Sequence, residues 1–159
     1  MGQRRSPTRH LNPKGEARMV DVGAKPVTQR RAVAAGSLRL SDKALRLLRS
    51  GGLKKGDALA AARIAGILAA KRVDSLIPLC HPLALECVEI RFGFGEGRVD
   101  VEAEVRTSGK TGVEMEALAA ACVACLTLYD MAKSEDRAMT IGPVYLEEKH
   151  GGRSGSYIR

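Results

Sequence analysis

The stretch TSGKTGVEMEALAAACVACLTLYDMAK, residues 107–133, decides the architecture. Its first part is a glycine-rich loop, Ser108 to Gly112, that opens onto two acids, Glu114 and Glu116. A nearly unbroken apolar run from Ala117 to Leu126 follows, rich in Ala and Leu and free of Pro and Gly, which predicts a helix. Apolar on all sides, that helix is expected to be buried. It is too short and too alanine-rich for a membrane span. Asp130 and Lys133 close it, so groups capable of chemistry stand at both ends of a core helix.

Working outward, the helix is preceded by two alternating segments, Val88 to Phe94 and Arg98 to Arg106, joined at Gly95-Glu-Gly97 as a hairpin with one polar face. Ahead of these, Asp57 is a good N-cap for a helix over 58–70, and Ser41 for one over 42–49 ended by Gly51 and Gly52. Val27 to Leu40 is β-tolerant, with Gly36 suited to a bulge, and Met19 to Val22 suits a short strand. Thr140 to Glu148 reads as the last strand, before a mobile basic tail loop, Gly151 to Gly155. The order β-α-α-β-β-α-β predicts an α+β fold close to a ferredoxin-like sandwich: an antiparallel or mixed sheet with helices packed on one face. Such a sheet also invites oligomerisation.

The chain of 159 residues is long enough for one domain with a real core. Aromatics are few (Phe92, Phe94, Tyr129, Tyr145, Tyr157, no Trp), so small aliphatic residues must fill that core. Residues 1–18 read as a flexible basic leader, with Arg4, Arg5, Arg9, Lys14 and Arg18, and 19–159 as a single catalytic domain. The leader has no apolar core of a secretory signal. Net charge is +8, which suits an anionic partner: nucleic acid, a polyphosphate metabolite or an acidic surface. Cys80, Cys87, Cys122 and Cys125 show no disulfide framework, and reduced thiols in a cytoplasmic setting are the expectation.

Each chemical motif has a plain reading beside the functional one. Cys122-x-x-Cys125 has metal or redox spacing, but it sits mid-helix in an apolar run, so it reads as core and no metal site is expected. His81 lies between Pro78 and Pro82 beside Cys80, where it is either a packed core histidine or a group positioned by a stiff loop. Lys54-Lys55-Gly56 precedes a helix start, which favours phosphate, or is a solvated turn. Gly109-Lys110-Thr111 resembles the end of a phosphate loop, yet Val105 stands where its first glycine belongs. Asp130 and Lys133 form a surface ion pair or, in apolar surroundings, an acid–base pair with a lowered lysine pKa.

The segments MVDVGAK (19–25), KKGDALAAARIAGILAAKR (54–72), LIPLCHPL (76–83), SGKTGVEMEAL (108–118), LYDMAKSED (128–136) and IGPVYL (141–146) together resemble the cyclic pyranopterin monophosphate synthase family, also called the molybdenum cofactor biosynthesis protein C family. The similarity runs in order through residues 15–157. It implies a ferredoxin-like fold in a homohexamer, a trimer of dimers, with active sites between subunits. It implies a reaction in which a cyclised dihydro-GTP rearranges to cyclic pyranopterin monophosphate and pyrophosphate leaves. By motif position it implies substrate contacts at Leu79, Cys80, His81, Met115, Glu116, Glu114 and Arg30. Asp130 then matches the acid/base, with Lys55, Lys133 and His81 beside it. No cofactor is required, though magnesium can accompany the triphosphate. Arg153 stands where relatives often carry lysine.

A small basic α+β protein could instead grip RNA. The sheet lacks the stacking aromatics that RNA-binding sheets use, so neither nucleic acid nor a membrane is expected as partner.

Overall fold

Thr28–Arg39 (β1) is the centre of an antiparallel sheet in the computed structural model, which describes residues 10–153 and 155–159. On one side β1 pairs with Arg98–Gly109 (β3) along its full length, from Thr28 opposite Gly109 to Arg39 opposite Arg98. Cys87–Gly95 (β2) lies outside β3 as the partner of its hairpin. On the other side β1 meets Tyr145–His150 (β5) and the short Thr140–Ile141 (β4), and Tyr157–Ile158 (β6) adds to β5. The order β2-β3-β1-β5 with intervening helices is the split β-α-β arrangement of a ferredoxin-like fold.

Alternation assigns the faces. Ala32, Ala34, Leu38, Val99, Val101, Ala103, Val105 and Ile90 are buried beneath the helices. The opposite face carries Arg31, Arg91, Glu102, Glu104 and Glu148 in cross-strand ion pairs, among them Arg31–Glu148 at 2.6 Å and Arg31–Glu104 at 3.0 Å. A face wired in this way tolerates solvent, and each exposed pair stabilises it only modestly.

Ala58–Ala70 (α2) and Glu114–Ala132 (α4) cover the apolar face. The Asp57 carboxylate accepts the Ala60 N–H at 3.0 Å and starts α2, as its sequence predicts. Ser41 likewise caps Asp42–Ser50 (α1), which ends at Gly51 in the left-handed region with φ 72°. A short helix over Val73–Leu76 (α3) follows α2 and was not anticipated, because four residues give too little periodicity to read.

The scarcity of aromatics has its reason in spacing. A Cβ on Gly66 of α2 would come within 3.0 Å of the Ala120 carbonyl on α4, and one on Gly36 within 3.1 Å of the Cys125 sulfur. Ala58, Ala62 and Ala69 of α2 and Ala117, Ala120 and Ala124 of α4 are all buried around this close approach, so α2, α4 and the sheet pack through small side chains. By length and composition alone α4 could cross a membrane, but its alanine face, Cys125 and Leu128 are buried on the sheet.

Four expectations are corrected. Helix α4 is not buried on all sides: Met115, Cys122 and Leu126 are exposed, the last by 57%, and α2 likewise exposes Ile64 and Leu68. Met19 to Val22 joins no strand among the described residues: the His81 ring meets the Val20 carbonyl and the Lys25 N–H turns back onto that of Val22 at 3.0 Å. The irregularity of β1 falls between Val33 and Ala34 rather than at Gly36, whose role is close packing. The last strand is broken into β4 and β5 by Gly142-Pro143, where the Gly142 N–H donates to the Ser37 carbonyl at 2.8 Å and proline has no N–H to continue the ladder. Of the basic leader, Arg4, Arg5 and Arg9 lie outside the described residues. His10 to Arg18 form a turn held by the Asn12 carboxamide and a bridge from Leu11 to Ala17.

Candidate active site

Helix α4 ends in Asp130, whose carboxylate receives two lysines. Lys133, one turn on, meets Oδ1 at 2.7 Å, and Lys55, 75 residues earlier, meets Oδ2 at 2.8 Å. Lys55 also donates to the Asp130 main-chain carbonyl at 2.9 Å. That carbonyl belongs to the last turn, where helix oxygens lack internal partners and the dipole favours a cation. Lys55 therefore serves the C-terminal end of α4, not the N-terminus of the helix that follows it in sequence. The Asp130 side chain is 54% exposed. Its pKa falls to about 2, through Lys133 first and Lys55 second, and Asp130 in turn raises Lys133. The apolar surroundings and lowered lysine envisaged from sequence are not found. At neutral pH this end offers a carboxylate as proton acceptor and an ammonium as donor.

The other end of α4 is built differently. Glu116, in its first turn, is only 4% exposed, and burial pushes its carboxyl up to about 7, with Glu114 and Asp74 adding repulsion. It lines a small cleft of about 190 Å³ with Leu79, Cys80, His81, Met115 and Val20. His81 Nε2 lies 2.7 Å from the Val20 carbonyl, so this nitrogen carries the proton and donates. Burial raises the Cys80 thiol, helped by Glu116 and Asp74, which leaves it protonated and a poor nucleophile.

Glu114, Gly112 and Lys25 form a wall shared with a larger cleft of about 670 Å³ at the end of the sheet. Arg30, Lys110, Arg153 and Lys149 line that cleft, and Glu114 is its acid. Lys149 meets Glu114 at 3.1 Å, the Arg30 Nε–H donates to the Gly109 carbonyl at 3.4 Å, and Lys110 donates to the Gly23 carbonyl at 2.6 Å. The loop 108–112 is not a nucleotide-binding phosphate loop, but it does border an anion-sized basic cleft. Among the described residues no three His, Cys, Asp or Glu side chains converge as a metal set. Cys125 is buried and Cys122 exposed, so the core reading of that pair holds for Cys125 alone.

The predicted residues thus gather in two places. Lys55, Asp130 and Lys133 stand together, and Leu79, Cys80, His81, Glu114, Met115, Glu116 and Arg30 surround the paired clefts. Within one chain the two groups are not joined: fourteen residues of helix separate Glu116 from Asp130, about 21 Å. Lys149 and Lys25 are contributors that motif reading left unassigned. Lys149 had a signal, because its register opposite Ala32 directs it to the helix-covered face, where a charge is out of place. Thr28 had none; its buried hydroxyl lines the larger cleft without a hydrogen-bond partner among the described residues.

Comparison with known proteins shows what the chain is similar to. Over 150 residues the chain is 57% identical to the cyclic pyranopterin monophosphate synthase of Parvibaculum lavamentivorans, covering 93% of this chain and 94% of the relative. It is 56% identical to that of Roseiflexus sp. (strain RS-1) over 94% and 96% of the two chains. It is 52% identical to that of Heliobacterium modesticaldum over 96% and 98%. Residues 19–152 match the MoaC family, a span that contains both ends of α4 and nearly all of the paired clefts, and the chain belongs to that family.

Proposed function

We propose that this protein is a cyclic pyranopterin monophosphate synthase, a lyase of molybdenum cofactor biosynthesis. It rearranges 3',8-cyclo-7,8-dihydroguanosine triphosphate to cyclic pyranopterin monophosphate and releases pyrophosphate. The names of relatives above 50% identity over nearly the whole chain support the activity. The observation that carries the chemistry is a basic cleft sharing the Glu114 wall with a pocket that holds a carboxyl titrating near 7.

The cleft suits a triphosphate: Arg30, Lys110, Lys149, Lys25 and Arg153 neutralise it, and glycine-rich backbone lets it approach. Ring opening and reclosure require repeated proton transfers. Glu116 is poised to give or take a proton at neutral pH, while Asp130 and Lys133, held charged against each other, can exchange protons with substrate once it separates the pair. Forming the cyclic phosphate joins a sugar oxygen to the α-phosphorus, breaks the bridge to the β-phosphate, and sends the hydroxyl proton to a base. Orientation and charge neutralisation suffice for that step. Magnesium enters, where it does, as part of the triphosphate substrate, since Glu114 is the cleft's carboxylate and Lys149 holds it.

The exposed apolar side chains Cys122 and Leu126 on α4, with Ile64 and Leu68 exposed on α2, suit a second copy related by a two-fold axis. Antiparallel packing there lets the Asp130–Lys133 end of one chain complete the Glu116 end of its partner. A homohexamer built from three such dimers, acting in the cytoplasm as a single catalytic domain over 19–159, is the assembly we propose. The test is incubation of the purified protein with the cyclised dihydro-GTP. Pyrophosphate and a fluorescent pterin product should appear together, and folded protein that yields neither would refute the assignment.

A further inference from the structure

Glu114 is the first residue of α4, yet its side chain does not run out along the helix. It curls back over the preceding loop. A Cβ built on Gly112 would overlap its Oε2 atom and stand 2.7 Å from its Cδ and 2.9 Å from its Oε1. In that position the carboxylate meets Lys149 at 3.1 Å, on the wall where the two clefts meet. The backbone of Gly112 is not in the positive-φ region. The glycine is therefore not demanded by chain geometry, and what it supplies is room. Gly152 offers the contrast: a Cβ there would overlap the Arg30 guanidinium, but its φ of 79° would strain any side chain as well. Gly112 is the position where space alone can be tested.

We propose that Gly112 is a positioning residue for the reaction. By having no Cβ, it seats the Glu114 carboxylate against the loop, where Lys149 holds it toward the substrate. The atoms that a methyl group would displace are the tip of a flexible side chain, so the fold survives while the acid moves. The inference rests on the substrate assignment above for its kinetic readout, and on the ion pair for a second one.

The experiment is a cycle of Gly112→Ala and Glu114→Asp on the full chain. Gly112→Ala should lower kcat/KM by between about tenfold and about a hundredfold, the scale of an ångström-sized misplacement. Its unfolding should stay cooperative, with the midpoint lowered by no more than the loss of the Glu114–Lys149 pair. Glu114→Asp retracts the carboxylate by one methylene, so it should slow the parent but partly rescue the Gly112→Ala protein. This reversal of sign is what a purely structural role would not produce. An unchanged kcat/KM in Gly112→Ala, or an equal loss from Glu114→Asp in both backgrounds, would overturn the proposal. If the parent turns over no substrate, the functional assignment fails separately, and thermal unfolding still decides about Gly112. Glu114→Gln and Lys149→Met should then shift the midpoint non-additively in the parent and additively in the Gly112→Ala background. Identical coupling in both would end it.

Discussion

Glu116 and Asp130 are carboxylates at opposite ends of one helix, perturbed in opposite directions. Burial takes Glu116 up to about 7, and two lysines take Asp130 down to about 2. One helix thus carries a carboxyl that changes state at neutral pH and one that stays ionised, the division of labour expected of an acid–base site.

The Glu116 shift has a stability consequence with a definite sign. Its folded pKa lies above the ordinary 4.5, so the native state holds a proton the unfolded chain has released between those values. Stability is then fully present below about pH 4.5 and is lost as pH rises through about 7. Glu116→Gln, which cannot ionise, should remove about 3 kcal/mol of this decline across the window. Urea unfolding from pH 5 to 8 checks it; parallel curves for parent and variant would show that Glu116 titrates normally.

Asp130 has the reverse sign. Its partners keep it charged, and removing one should raise its pKa toward the ordinary 3.8. Lys55→Ala and Lys133→Ala should each move the acid limb of the pH–rate profile upward. Asp130→Asn should lower single-turnover rates at saturating substrate by about a hundredfold or more, with little effect on binding. A normal saturated rate in Asp130→Asn would remove it from the proton chemistry.

The two helix cysteines should separate. Cys125 is fully buried, with its sulfur 3.1 Å from where a Gly36 Cβ would lie, whereas Cys122 is exposed. Cys125→Ser should cost about 1–3 kcal/mol of stability by burying a hydroxyl, while folded protein keeps its turnover. Cys122→Ser should leave chain stability within about 0.5 kcal/mol. Chemical denaturation of the two variants measures the difference.

Most of the fold was legible because local signals agree. Asp57, Ser41, Gly51 and the alternation of 88–94 and 98–106 each mark a real boundary or face. What failed were features decided by tertiary context. The extended run 19–22 looks like a strand until one sees that His81, not a neighbouring strand, takes the Val20 carbonyl. The open side of α4 is as apolar as its buried side, so periodicity could not show that Leu126 faces outward. At the site, Asp130 and Lys133 were readable as an i,i+3 pair, but Lys55 and Lys149 join their partners across 75 and 35 residues, a closure no motif encodes.

The distance between Glu116 and Asp130 makes the last prediction. Helix α4 is continuous from Glu114 to Ala132 and contains neither Pro nor Gly to bend it. At about 1.5 Å per residue its two ends are about 21 Å apart, too far for one nucleotide to touch both closely. In the dimer proposed above, a two-fold axis at the exposed Cys122–Leu126 face would bring the start of one α4 near the end of the other. Co-expressing a Glu116→Ala chain with an Asp130→Ala chain, each inactive alone, should therefore restore activity. A mixed dimer has one site with both lesions and one with neither, so it should recover toward half of the parent rate. If verified mixed dimers stay inactive, both residues serve the same chain's site and the shared arrangement is wrong.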